Sequence, residues 1–163
     1  MIDRQLFKAV LRRWASGVTI VTTHAGGRDA GMTVSAFCSV SLDPPLVLVC
    51  ADKKAKTRPL IDASGIFAVN VLAIDQHELS NRFARDGNEE VRFDGLECRR
   101  GPSGALWLPE TLAVIDCRVA AAHDAGDHVI YVGHVIAAEV HPTRDPLVYH
   151  DAGYRSVAPH ERS

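Results

Sequence analysis

In the first stretch of the chain the apolar positions recur at helical spacing. Within DRQLFKAVLRRWASG, Leu6, Phe7, Val10, Leu11 and Trp14 fall on one face, with Asp3 placed to cap the start and Gly17 to stop the helix. The period then changes. GVTIVTTHAGGRDAGMTVSAFCSV predicts a strand, a Gly-Gly turn and a second strand; SLDPPLVLVCA predicts a tight Pro-Pro connection and a third strand. That third run is nearly all apolar, which predicts burial on both faces, as in a barrel wall under helices. KTRPLIDASG reads as a short helix with Thr57 as N-cap, Pro59 in its first turn and Gly65 just past its end. IFAVNVLA reads as a strand, and DQHELSNRFA as a helix with Asp75 and Glu78 spaced as a capping box. Residues 86–110 carry glycine, proline and charge and are expected to be mostly loop. TLAVIDCRVAAAHDAGDHVIYVGHVIAAEVH predicts two long strands around a turn near Ala125-Gly126. PLVYH is a last short strand before a DAG turn and Tyr154.

Strands dominate and follow one another directly. That excludes a doubly wound parallel sheet and predicts a mainly β, antiparallel barrel with a few peripheral helices. At 163 residues the chain is expected to form a single domain, 1–163, with a sizeable core. A formal charge of -2 gives no electrostatic case for nucleic acid or an anionic membrane. No apolar run approaches the roughly 20 residues that span a bilayer. MIDRQLFKAVLRRW has charges where an export signal needs an apolar block, so a cytoplasmic protein is expected. Cys38, Cys50, Cys98 and Cys117 show no C-x-x-C spacing, and buried reduced thiols are the expectation. The eight histidines form no H-E-x-x-H or equivalent pair, and no metal site is expected.

Four places carry candidate chemistry. Gly31 to Ala36 opens a strand with glycine and puts the Thr33 and Ser35 hydroxyls on one face. It is either an ordinary strand after a turn, or backbone left bare so that a flat heteroaromatic ligand can lie along it. ADKKAKTRPL brings lysines and Thr57 to the start of a helix, which is either a solvated charged cap or a phosphate site. In SNRFARDG, Phe83 packs either in the core or against a ring, with Arg85 in reach of phosphate. AGDHVIYVGHV sets His128 at a hairpin turn beside Asp127, as a surface residue or as a hydrogen-bonding partner for an amide. His134 is a weaker candidate; His24, His77, His141 and His160 are read as surface.

Taken in order, SGVTIVTT, GMTVSAFCSVSLDPPLVLVC, FAVNVL, LSNRFA, GDHVIYVGHV and PLVYHDAGY resemble the short-chain flavin reductase family. These are FMN-binding split-barrel proteins that serve as reductase components of two-component flavin monooxygenases. The resemblance runs from about Phe7 to Tyr154. It implies a homodimer of six-stranded antiparallel split β-barrels with Greek-key connections and peripheral helices, with FMN or FAD in a groove near the dimer interface. It places Gly31 and the backbone of Met32, Thr33, Val34, Ser35 and Ala36 along the isoalloxazine edge. Ala51, Asp52, Lys53, Lys54 and Thr57 then hold the ribityl and phosphate part, and Phe83 and Arg85 close that side. His128, with Asp127, seats the nicotinamide of NADH or NADPH, and Tyr154 neighbours the flavin. The family often has serine where Ala55 or Lys56 stands, so phosphate contacts here are expected to lean on lysine. The implied activity is NAD(P)H-dependent flavin reduction, with reduced flavin passed to a partner monooxygenase. The alternatives are a flavoprotein acting on another small substrate and a non-catalytic flavin-binding or electron-carrier protein.

Overall fold

The computed structural model describes residues 2–141 and 143–158; His160 lies outside them. In chain order the elements are α1 (Arg4–Leu11), β1 (Ser16–Gly17), β2 (Thr19–Ala25), β3 (Arg28–Val34), β4 (Phe37–Leu42), β5 (Pro45–Asp52), α2 (Arg58–Ser64), β6 (Ile66–Val71) and α3 (His77–Ala84). A 3-10 turn (Glu89–Val91) and the short strands β7 (Arg99–Arg100) and β8 (Leu106–Trp107) follow. The long hairpin β9 (Ala113–Ala125) and β10 (His128–Val140) precedes β11 (Val148–His150) and β12 (Gly153–Arg155).

The main sheet is antiparallel and runs β3-β2-β6-β9-β10-β5-β4. It has seven strands where six were expected, and no pairing closes it into a barrel among the described residues. The extra strand comes from the run Gly31 to Val40, expected to be one strand. Its pairing with β2 ends at Val34, and after Ser35 and Ala36 the chain continues as β4, paired with β5 at the far end of the sheet. The sheet nevertheless curls. β9 and β10 pair out of step at Val132/Gly133 and Val135/Ala137, and such irregularities bend and twist a strand. Gly133 sits at that bend, where an added Cβ would come within 2.4 Å of the Phe67 ring and 2.9 Å of Cys117 Cβ. Its bare backbone lets the curved strand settle on the core. Met32 and Val34 from one end then share a core with Val47, Val49 and Ala51 from the other, around Phe67, Val69, Cys117 and Tyr131.

A second core, with Ile20, Leu72, Phe83, Leu108 and Leu147, lies beneath α3. The buried Asn70 joins the sheet to the 105–108 segment. Its Nδ2 donates to Ile20 O at 3.0 Å, and its Oδ1 accepts from the Leu108 backbone N–H at 2.8 Å. A buried amide used on both sides holds its segment in one place.

Several local expectations change. Helix α1 ends at Leu11, well before Gly17, because Ser16 and Gly17 are drawn into pairing with Tyr149 and Val148. β5 alternates buried and half-buried residues and does not lose both faces, since only one side meets the core. Asp75 and Glu78 make no capping box: α3 starts after Gln76, and Asp75 is held by Arg144. Thr57 precedes α2 as expected, but its side chain makes no capping hydrogen bond. His24 is half-buried, with Nδ1 2.8 Å from Asp29 Oδ1.

Candidate functional site

A cavity of about 590 Å³ opens along β3, between the start of β10, the 51–57 segment, α3 and the β11–β12 turn. That is the size of a pocket for a cofactor-sized molecule. β3 is the edge of the sheet, so from Met32 to Val34 one side of its backbone has no strand partner; past it, Ser35 O accepts from the Phe37 N–H and Ala36 O from the Cys50 N–H. Exposed N–H and C=O groups in a row can read the polar rim of a flat ring.

Of the residues singled out in the sequence, Met32, Thr33, Val34, Ser35 and Ala36 line the cavity; so do Ala51, Asp52, Thr57, Phe83, His128 and Tyr154. Gly31, Lys53, Lys54, Arg85 and Asp127 do not. Gly31 is buried one layer back, where an added Cβ would lie 2.8 Å from the Phe83 ring and 3.2 Å from Phe93. The glycine is required by two phenylalanines packed edge-on at 5.1 Å, of which Phe83 shows the cavity one edge. Lys53 turns outward to Asp124, with Nζ 2.8 Å from Oδ2, and Lys54 is exposed. Arg85 is exposed, and its carbonyl is taken by Arg92.

Committed hydrogen bonds set what the lining can do. Thr33 Oγ1 donates to Ser80 O at 2.6 Å, tying the edge strand to α3 and withdrawing that hydroxyl from ligand binding. The Ser35 side chain is exposed. Tyr154 Oη is 2.9 Å from Ser80 Oγ and 2.8 Å from Asn81 Oδ1, and its ring stands edge-on to Tyr149 at 5.7 Å. The turn that delivers Tyr154 has positive φ at Asp151 (49°) and Ala152 (58°), as a tight turn joining two antiparallel strands requires. Phe83 is only 1% exposed, so it is a core residue that shows the cavity one edge. At the opposite rim, His128 is paired across β5 with Asp52. Its Nδ1 is 2.7 Å from Asp127 Oδ1, and that contact holds the Asp127 carboxyl below the usual carboxylate range. With Nδ1 facing a carboxylate, the neutral ring carries its proton there and presents Nε2 as an acceptor.

Of the three lysines in ADKKAKTRPL, Lys56 alone lines the cavity. The sequence reading missed the rest of the charged wall, Asp86, Glu89 and Arg92. Arg92 is 5% exposed although it lies in an expected loop. Its Nη1 donates to Gly31 O at 2.6 Å, its Nε to Asn88 Oδ1 at 3.1 Å, and its Nη2 to Arg85 O, so one guanidinium pins the 85–92 segment to the edge strand. Burial pulls its pKa below the usual arginine value. Two arginines and three carboxylates in RDGNEEVR are the only sequence signal, and a solvated loop carries the same one. Among the described residues no cluster of His, Cys, Asp or Glu could hold a metal ion, and no helix is long and apolar enough to cross a membrane.

Comparison with known proteins agrees over nearly the whole chain. The chain is 45% identical over 143 residues to the FMN reductase (NADH) SmoA of Agrobacterium fabrum, covering 88% of this chain and 80% of that one. It is 40% identical over 157 residues to the reductase component of the FADH(2)-dependent resorcinol hydroxylase of a Rhizobium strain, covering 95% and 88%. Among solved structures, the NADH:FAD oxidoreductase SgcE6 of Streptomyces globisporus, in complex with NAD and FAD fragments, superimposes with a TM-score of 0.91 at 34% identity, covering 98% of this chain and 96% of that one. The model of the flavin reductase like domain matches residues 11–158, and the chain belongs to that family.

Proposed function

We propose that this protein is an NAD(P)H:flavin oxidoreductase that reduces FMN or FAD and hands the reduced flavin to a partner flavin-dependent monooxygenase. The single observation that carries the reading is the cavity's layout. An unpaired strand edge runs along its middle, Lys56 and Thr57 stand at one end, and an oriented histidine stands at the rim. The names and activities of its relatives, reductases paired with NADH and with hydroxylating partners, fit the same reading.

The chain's residues fit a flavin in three respects. The unpaired strand edge at Met32 to Val34 offers backbone donors and acceptors to the polar edge of the ring. Ala51, Ala55 and the edge of Phe83 supply flat apolar contact, and Lys56 with Thr57 offers a charge and a hydroxyl to a phosphate. When bound, flavin supplies the hydride acceptor. Direct hydride transfer needs contact and alignment and no protein acid or base, so the residues serve to orient and to exclude water. Tyr154 and Tyr149 wall one side. His128 presents Nε2, held in that tautomer by Asp127, to an N–H of the nicotinamide carboxamide. Backbone N–H groups of the strand edge would meet the polar rim of a bound ring and favour negative charge there.

The working form is a homodimer. On α1 no residue is buried; Leu6, Phe7, Val10 and Leu11, with Trp14 just beyond the helix, are 49–77% exposed. A surface of that kind marks an association site, and it continues into a groove of Trp14, Phe37, Leu48 and Tyr149 beside the flavin cavity. All four cysteines are free, but of the thiols expected to be buried only Cys117 is: Cys38 is exposed and Cys50 and Cys98 are half-buried.

The test is steady-state oxidation of NADH or NADPH with added FMN or FAD, followed at the nicotinamide absorbance. Turnover that requires free flavin is the expected result. Clear flavin binding without turnover from either nicotinamide would refute the reductase reading.

A further inference from the structure

The cavity wall contains two cationic side chains apart from the rim histidine, Lys56 and Arg92, and one carboxylate stands between them. Glu89 Oε2 is 3.2 Å from Lys56 Nζ, and its Oε1 is 3.9 Å from Arg92 Nη2. Arg92 is 5% exposed and fixed by bonds to Gly31 O, Arg85 O and Asn88 Oδ1, whereas the Lys56 side chain is 70% exposed, so Lys56 is the cation able to turn to an incoming anion. Glu89 opens the 3-10 turn. Its own backbone N–H and then Lys56 hold its carboxyl below the usual carboxylate range, so it stays ionised at neutral pH. Asp86 adds a second carboxylate to the same wall. A site built to hold a phosphate permanently would not seat an ionised carboxylate on its only available lysine.

We infer that Glu89 is an internal competitor for the flavin phosphate: it occupies Lys56 when flavin is away and must yield that contact when flavin binds, so the phosphate end is held weakly and the flavin exchanges as a substrate. The inference rests on the flavin reading above and adds a residue that sets affinity. The Glu89 carboxylate meets Lys56 and Arg92, and it makes no hydrogen bond to the strand edge that faces the ring. Its removal should therefore tighten only ligands that carry the phosphate, chiefly by slowing their departure.

The experiment is titration of FMN and of riboflavin, which has the same ring and ribityl chain without the phosphate. Both are added to wild type, Glu89→Gln, Lys56→Gln and the double variant, with binding read from flavin fluorescence. Glu89→Gln should lower the Kd for FMN roughly three- to tenfold, about 0.7–1.4 kcal/mol, with riboflavin altered less than about twofold. In the Lys56→Gln background most of that gain should vanish, because the contact being contested is gone. An FMN Kd that is unchanged or higher in Glu89→Gln overturns the inference. So does an equal change for both flavins, which would mean a reshaped cavity. If wild type binds neither flavin, the site reading itself falls and takes the inference with it, an outcome separate from the other two.

Discussion

Gly31→Ala separates two explanations of one residue. If the glycine serves ligand approach, alanine should cost flavin affinity and leave stability alone. The structure says the reverse. The new Cβ would lie 2.8 and 3.0 Å from two atoms of the Phe83 ring and 3.2 Å from Phe93 Cζ. Phe83 is 1% exposed and packed among Val18, Ile20, Leu72 and Leu147, so the ring has nowhere to swing. Overpacking of this kind costs about 1–3 kcal/mol. Gly31 has no left-handed φ, so alanine regains about 0.4–1 kcal/mol by restricting the unfolded chain. The net loss lies between about 0 and 2.6 kcal/mol, centred near 1.3 kcal/mol. For a domain of this size the central value lowers Tm by roughly 3–5 °C and the urea midpoint by roughly 0.4–1.3 M. Both should be measured at one fixed protein concentration, because self-association shifts apparent stability. The Kd for FMN at low temperature, where both forms are folded, should stay within about twofold, since the methyl group points at the phenylalanines. Unchanged stability with lost flavin affinity would refute the packing argument.

Three further outcomes follow from the same geometry. His128→Ala should raise the KM for NADH roughly three- to tenfold, the worth of one hydrogen bond, while the flavin Kd hardly moves; an unaltered KM removes His128 from the nicotinamide site. Val10→Glu places a charge in the exposed face of α1 and should shift the protein from dimer to monomer in light scattering, whereas a wild type that is already monomeric would refute the association surface. Tyr131 Oη donates to Asp62 at 2.5 Å, and burial followed by that carboxylate pushes its pKa up to about 12. A raised folded-state pKa means its contribution is complete below the unfolded value near 10 and is lost as pH rises toward 12. Tyr131→Phe should flatten that alkaline decline, leaving the part due to Cys117, whose thiol burial also raises to about 12. An identical decline in both proteins would show that the tyrosine is not titrating there.

Much of the architecture was legible because it is written at short range. Periodicity located α1, both hairpins, α2, β6 and the β9–β10 pair, and Gly65 ends α2 in the left-handed conformation expected of a helix-ending glycine. The ordered motifs carried the family. Met32 to Ala36, Ala51, Asp52 and Thr57 line one cavity, because a strand edge and a strand end keep their neighbours together in sequence.

What the sequence could not show depends on contacts made across the fold. Whether the Gly31 to Val40 run is one strand or two is decided by which partners β2 and β5 offer, and the curl of the sheet comes from the bend at Gly133 meeting Phe67. Lysine choice follows the same rule. Lys53, Lys54 and Lys56 are alike in the sequence, yet strand twist sends Lys53 to Asp124 and the turn into α2 sends Lys56 to Glu89. Arg92 reads as loop until its guanidinium is seen spent on Gly31, 61 residues away. Local pattern determined the elements and the backbone that a flavin would meet. Side-chain commitments over long separations decided which charges face the cavity, because a hydrogen bond or ion pair depends on distance in space.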